Sequence, residues 1–224
     1  ARHPSPAVRR ALVVALRRQQ SPLATRFLAD PEPIVVAEAA RAIHDVPILA
    51  GYRQLARMAD TGPNHPSVVR RALNANFRAG TPATATTLAR YAAQEGNPLP
   101  FRLMALRMLE QWAKPSNRDQ VLGMWRPLKP RGSQAAATAL RQHLAGILAG
   151  PDKVRQQGAQ LAAKLGLREV APALNRIYSD PSQPAVARAN ALRGLATIKT
   201  DLLPGALQRA LTDRSGLVRA AGRT

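Results

Sequence analysis

Apolar residues return along the chain at three- and four-residue steps, in short blocks separated by polar turns. Ala11, Leu12, Ala15 and Leu16 form one such set, Ala39, Ala40 and Ile43 a second, and Met104, Ala105, Met108 and Leu109 a third. That spacing places each set on one face of a helix. Alternating runs of branched and aromatic residues, which would mark strands, are absent from the sequence. Most sets follow a turn containing Pro, Asp or Asn: His3-Pro4-Ser5-Pro6, Asp30-Pro31-Glu32-Pro33, His65-Pro66, Asn97-Pro98-Leu99-Pro100, Pro151-Asp152 and Asp180-Pro181. Asp and Asn cap a coming helix, and Pro fits its first turn, where no amide hydrogen is needed. Second helices are expected over residues 23–29, 48–59, 83–93, 170–178 and 202–211.

An apolar residue followed by Arg opens most of the first helices. Val8-Arg9, Val69-Arg70, Phe101-Arg102, Val154-Arg155, Ala187-Arg188 and Val218-Arg219 keep the pair, and Val35-Val36 lacks its Arg. These anchors recur every ~27 to ~34 residues, with one interval of ~53 that leaves room for an added helix. A single helical hairpin cannot bury its apolar face, so roughly seven hairpins stacked on a continuous core are expected, with one inserted helix. The fold expected is all-α, one repeat domain over residues 1–224. Neither end carries the polar cap of a complete stack, so the chain reads as truncated on both sides.

The rhythm breaks around residues 114–150. A loop over 114–119 is expected to lead into a short helix at 121–125. Two Pro and a Gly exclude a regular helix from Arg126 to Gly132. An extra amphipathic helix should then run over 133–148, with Ala137, Leu140, Leu144, Ile147 and Leu148 inward.

Composition narrows the chemistry. The chain is 46% hydrophobic but only 4% aromatic, so its apolar content is mostly Ala, Leu and Val, which suits closely spaced helices. It has no Cys, which excludes disulfides, thiolate metal sites and covalent haem within these residues. No apolar run reaches membrane-spanning length, so no membrane insertion is expected. The formal charge is +20, and 28 of the 33 basic residues are Arg. Such an excess admits nucleic acid as a partner. The Arg residues are spread rather than clustered, however, and six of them hold the same repeat position. The plainer reading is a coding bias towards Arg and Ala, with Arg9, Arg70, Arg102, Arg155, Arg188 and Arg219 serving the repeat itself as a structural ladder.

The four His lie in different units without ligand spacing, and no serine elbow or glycine-rich phosphate loop is present. No catalytic, cofactor-binding or metal-ligating residue is expected. The best contact surface is Trp125-Arg126-Pro127-Leu128-Lys129-Pro130-Arg131, where Trp125, Arg126, Lys129 and Arg131 join an aromatic and three cations on a stiff backbone. The bland reading, that Trp125 fills a gap beneath the inserted helix, is the favoured one. With Arg70 assigned to the ladder, Arg71 and the pair Asn74 and Asn76 are what the His65–Phe77 stretch leaves for a partner. Phe77, Tyr91, Phe101 and Trp112 sit at inward spacing and are expected in the core.

The period, the Asp-Pro turns and the helix-opening Val-Arg pairs resemble HEAT repeats of the bacterial type also found beside phycobilin lyases. That resemblance implies a right-handed α–α superhelix of the HEAT or armadillo-like solenoid kind. It also implies that turn Asp and helix Arg bond to each other along the stack, which makes Asp30, Asp180 and Asp213 candidate partners of Arg9, Arg188 and Arg219 or their neighbours. Three segments resemble something narrower: Glu38 to Ile48, Arg71 to Gly80, and Arg118 to Leu128. Together they are similar to the HEAT segment of large secreted multidomain proteins of planctomycetes and related bacteria. In those proteins a sugar-dehydrogenase-like propeller precedes the repeats and a c-type haem domain follows. The resemblance implies a non-catalytic scaffold or docking module in a periplasmic or otherwise extracytoplasmic redox protein. Its partners would be neighbouring domains or another protein, and haem c would belong to a neighbouring domain only. The alternative is a nucleic-acid-binding HEAT protein such as an alkylpurine DNA glycosylase-like module. A third reading, a lyase or chaperone for a tetrapyrrole, rests on fold analogy alone.

Overall fold

A computed structural model describes residues 3–167 and 170–223. Among them the regular structure is helical, and the only β-type pairing is an isolated bridge between Arg118 and Trp125. Helix α1 (Pro6–Arg18) is followed by a 3-10 helix (Pro22–Ala29), then α2 (Pro33–Asp45), a 3-10 turn (Leu49–Gly51), α3 (Tyr52–Thr61), α4 (Pro66–Ala79) and α5 (Pro82–Ala93). Next come α6 (Leu99–Glu110), α7 (Gln134–Leu148), α8 (Asp152–Lys164), α9 (Val170–Ser179), α10 (Ala185–Ile198), α11 (Leu203–Leu211) and α12 (Gly216–Ala221). No helix among the described residues is long and apolar enough to cross a membrane.

The Pro residues at turn ends do what the sequence implies. They occupy the first turn of α1, α2, α4 and the 3-10 helix at 22–29, where they cost no hydrogen bond. His65 caps α4 through its ring Nδ1, which accepts from the Ser67 amide at 3.2 Å.

The chain forms two compact units. One comprises residues 1–88 and 111–132, the other residues 89–110 and 133–224. In the first, α2 packs against α1, the preceding 3-10 helix and α4, and α3 pairs with α4. Because α2 has neighbours on several sides, Val35, Val36, Ala37, Ala39, Ala40, Ala42 and Ile43 are all buried. Small side chains at four of those positions let the neighbouring helix axes approach. In the second unit alternate helices meet in succession, α6 with α8, α8 with α10 and α10 with α12, while α9 pairs with α10. The expected extra helix is α7, and Ala137, Leu140, Leu144, Ile147 and Leu148 are its buried face.

One predicted element is not there. Residues 121–125 form no helix. The Asp119 carboxylate accepts from the amides of Val121 and Leu122 at 2.9 and 3.0 Å, turning the chain back on itself. Backbone bonds from Asp119 to Met124 O and from Arg126 to Asn117 O close a short hairpin instead. An Asx turn uses the same amides a first helical turn would, so it wins when Asp has a further reason to face inward.

Candidate functional site

The hairpin is anchored by a buried polar chain. Helix α2 ends in His44-Asp45, and α4 carries Arg71 and Asn74 on its buried side. His44 is wholly buried, as is the side chain of Asp119. The His44 ring lies 2.9 Å from Asp45 through Nδ1 and 2.8 Å from the Asn74 amide nitrogen through Nε2. Asn74 Nδ2 also donates to Asp119 Oδ2 at 2.8 Å. The two ring nitrogens of His44 thus bridge Asp45 and Asn74. Asn74 Oδ1 is the one buried side-chain polar atom without a hydrogen-bond partner among the described residues. Turning the amide over would set that oxygen against the Asp119 carboxylate, which fixes its orientation.

Arginines surround this chain. Arg71 grips Asp45 with both arms of its guanidinium, at 2.8 and 2.7 Å. Burial alone would raise the Asp45 carboxyl, but the His44 and Arg71 hydrogen bonds outweigh it and hold the group down at about 2. Burial likewise opposes ionisation of Asp119, and the Leu122 and Val121 amides, His44 and Asn74 outweigh it, so its pKa is also lowered. Tyr52 stacks on the His44 ring at 6.2 Å between centroids, and burial raises its phenol.

Arg126 donates to the carbonyls of His44 and Asp45 at 2.9 and 2.6 Å, satisfying orphan acceptors at the end of α2. Arg131 does the same for α4, donating to Phe77 O at 2.7 Å and to Trp112 O at 2.9 Å. Its guanidinium lies over the Trp112 ring, 3.8 Å from the centroid. Burial lowers the pKa of Arg131.

These contacts redistribute the residues proposed as partner contacts. Arg126 and Arg131 are internal clasps, and Arg71 is 9% exposed and tied to Asp45. Asn74 and Asn76 are buried as well, and Asn76 Nδ2 donates to Ala56 O and Ala72 O. Trp125, by contrast, does not fill a gap. It is 67% exposed beside Met124 at 54%, and Lys129 is exposed too. Trp125 bridges Arg118 across the pinned hairpin instead.

The ladder arginines divide in the same way. Arg9 pairs with Asp30 at 2.7 and 2.8 Å, and Arg188 pairs with Asp213. Arg219 donates to the Asp213 and Arg214 carbonyls, and Arg155 to the Gly150 carbonyl and the Asp152 carboxylate. Arg102, 2% exposed, donates to Ala92 O and Ala93 O at the end of α5. Asp180 serves its own turn, accepting from Ser182 and Gln183. In α4 it is Arg71 that grips Asp45, at the end of α2, while Arg70 at the repeat position is exposed.

Sequence reasoning missed the His44–Asn74–Asp119 chain. A signal existed: His44 extends the buried stripe of α2, and Asn74 sits at inward spacing on α4. Polar groups at core positions imply internal partners. The imidazole Nε2 faces Asn74, and the ring is closed to solvent. Among the described residues, no three His, Asp or Glu side chains gather as a metal site. No family model and no curated protein matches the sequence.

Proposed function

We propose that the chain is a non-catalytic docking scaffold built of stacked helical hairpins of the HEAT kind. The carrying observation is the 117–131 segment, whose inner side is consumed by Asp119, Arg126 and Arg131 while Trp125, bridged to Arg118, is held 67% exposed. Leaving an indole in water forgoes roughly 2 kcal/mol of burial, a cost that binding to a partner recovers. Alternating helices meeting in succession within each unit, together with the Arg9–Asp30 and Arg188–Asp213 pairs, support the repeat reading. The extracytoplasmic setting, with a propeller dehydrogenase and a c-type haem domain as neighbours, follows from the resemblance and is part of the proposal.

Trp125 is itself the probe. Titrating the purified chain with a separately expressed c-type haem domain should shift and quench indole emission, and Trp125→Ala should remove that response while leaving Tm nearly unchanged. Haem or quinone absorbance, or substrate turnover, in the chain alone would overturn the scaffold reading. The charge of +20 and the exposed Trp125 favour a second reading, nucleic-acid binding. It demands affinity for a DNA duplex that falls steeply and linearly on a log–log plot against salt.

A further inference from the structure

Within the first unit, α3, the end of α4, residues 81–87 and Leu128 enclose an open cleft of about 640 Å³. That is the size of a site for a small ligand or a few residues of peptide. Arg53 and Arg57 stand one helical turn apart on α3, both exposed, and both line it. Four residues apart on a helix, they share one face and can converge on a single ligand. Arg78 also lines the cleft, although its guanidinium is engaged by Arg126 O at 3.2 Å and lies 3.6 Å from Asp119. The lining holds one carboxylate, Asp60, so the cleft keeps an excess of positive charge. The rest of its surface is largely apolar. Leu49, 75% exposed, stands at the cleft with Ala83 and Leu128.

We infer that this cleft binds an acidic, partly apolar peptide segment of a partner protein. Two guanidiniums on one helix face suit two side-chain carboxylates, which they can grip in forked pairs. Leu49, Ala83 and Leu128 suit the aliphatic residues between those carboxylates. A free inorganic anion would use the arginines and waste the apolar wall, which decides for a peptide. The inference goes beyond the docking reading. It adds a contact that does not involve Trp125, so either can fail alone.

The test uses the full chain and a fluorescein-labelled octapeptide of alternating Glu and Leu, read by anisotropy at fixed ionic strength. Arg53→Glu/Arg57→Glu should weaken binding about tenfold or more, and the milder Arg53→Gln/Arg57→Gln should weaken it less. The same peptide with Gln for Glu should bind about tenfold more weakly to the unaltered chain. Arg18→Glu/Arg26→Glu, which changes net charge equally at exposed positions outside the cleft, should leave binding within about twofold. Equal loss in that control would show general charge attraction and overturn the proposal. So would full displacement of the peptide by inorganic phosphate, or undiminished binding to the Arg53/Arg57 variants. Loss of the Trp125 response with peptide binding intact would leave this cleft standing and remove only the docking reading.

Discussion

Gly80 shows how much a single missing methyl group can hold open. It ends α4 in the left-handed region, at φ +68, where a side chain is strained. A Cβ there would also overlap Nη1 of Arg131, whose guanidinium donates to Phe77 O through Nη2 and lies over the Trp112 ring. Gly123, in the hairpin, has the same φ of +68 but open space around it. The pair separates the two effects. Gly123→Ala should cost about 1 kcal/mol, the backbone term alone. Gly80→Ala should cost about 2–4 kcal/mol, because it also displaces a buried guanidinium from its carbonyls and ring. Urea unfolding of both variants against the parent chain measures the difference, and equal losses would show that Arg131 yields without cost.

At the scale of elements, the junction of α2, α4 and the hairpin rests on ionised carboxylates. Asp45 has a folded pKa of about 2, below its ordinary value of 3.8. The unfolded chain therefore binds more protons in that interval, and stability falls with pH. The contribution is fully present above about pH 4 and fades as pH drops toward 2, amounting to about 2 kcal/mol. Asp45→Asn removes that dependence. The stability lead of the parent chain over the variant, measured by urea unfolding, should shrink as pH falls from about 4 to about 2. A lead that stays constant across that window would place the charge elsewhere. The same junction marks where the sequence is legible and where it is not. Helical periodicity and turn chemistry are local, so α1 to α11 and the inward face of α7 can be read from neighbouring residues. The Asp119 turn is not local, because its orientation is settled by Asn74 in a distant helix. That Arg71 grips Asp45 turns on a single position, about 100° around a helix, and no repeat phase resolves that. Arg126 and Arg131 show the same limit, since a cation in a Pro-rich loop looks like a surface group until the helix ends it caps are placed beside it.

Over the whole molecule, a net charge of +20 spread on 224 residues works against compactness. The close pairs, Arg9–Asp30, Arg71–Asp45 and Arg188–Asp213, are largely buried and are screened little by salt. The repulsion among exposed arginines is screened strongly. Raising salt from about 10 to about 300 mM should therefore raise Tm by several degrees. A Tm that fell with salt would mean that exposed ion pairs dominate the balance. Function is less legible than fold at this scale, because arginines that clasp helix ends and arginines that face solvent have the same composition. Their burial separates them: Arg102 and Arg188 are internal, whereas Arg53 and Arg57 are exposed in the cleft.

The first compact unit is made of two stretches, 1–88 and 111–132, and this orders events during synthesis. Arg126 closes on His44 across 82 residues, and Asp119 reaches Asn74 across 45. A growing chain thus displays the finished ends of α2 and α4 long before their clasps leave the ribosome. Until residue 131 emerges, His44 and Asn74 face an unfinished wall and the last carbonyls of both helices lack their arginines. Contacts so far apart in sequence close slowly, so within this unit the clasps of the hairpin form last. Nascent chains stalled before residue 111 should consequently be protease-sensitive at α2 and α4, although both helices have already been made.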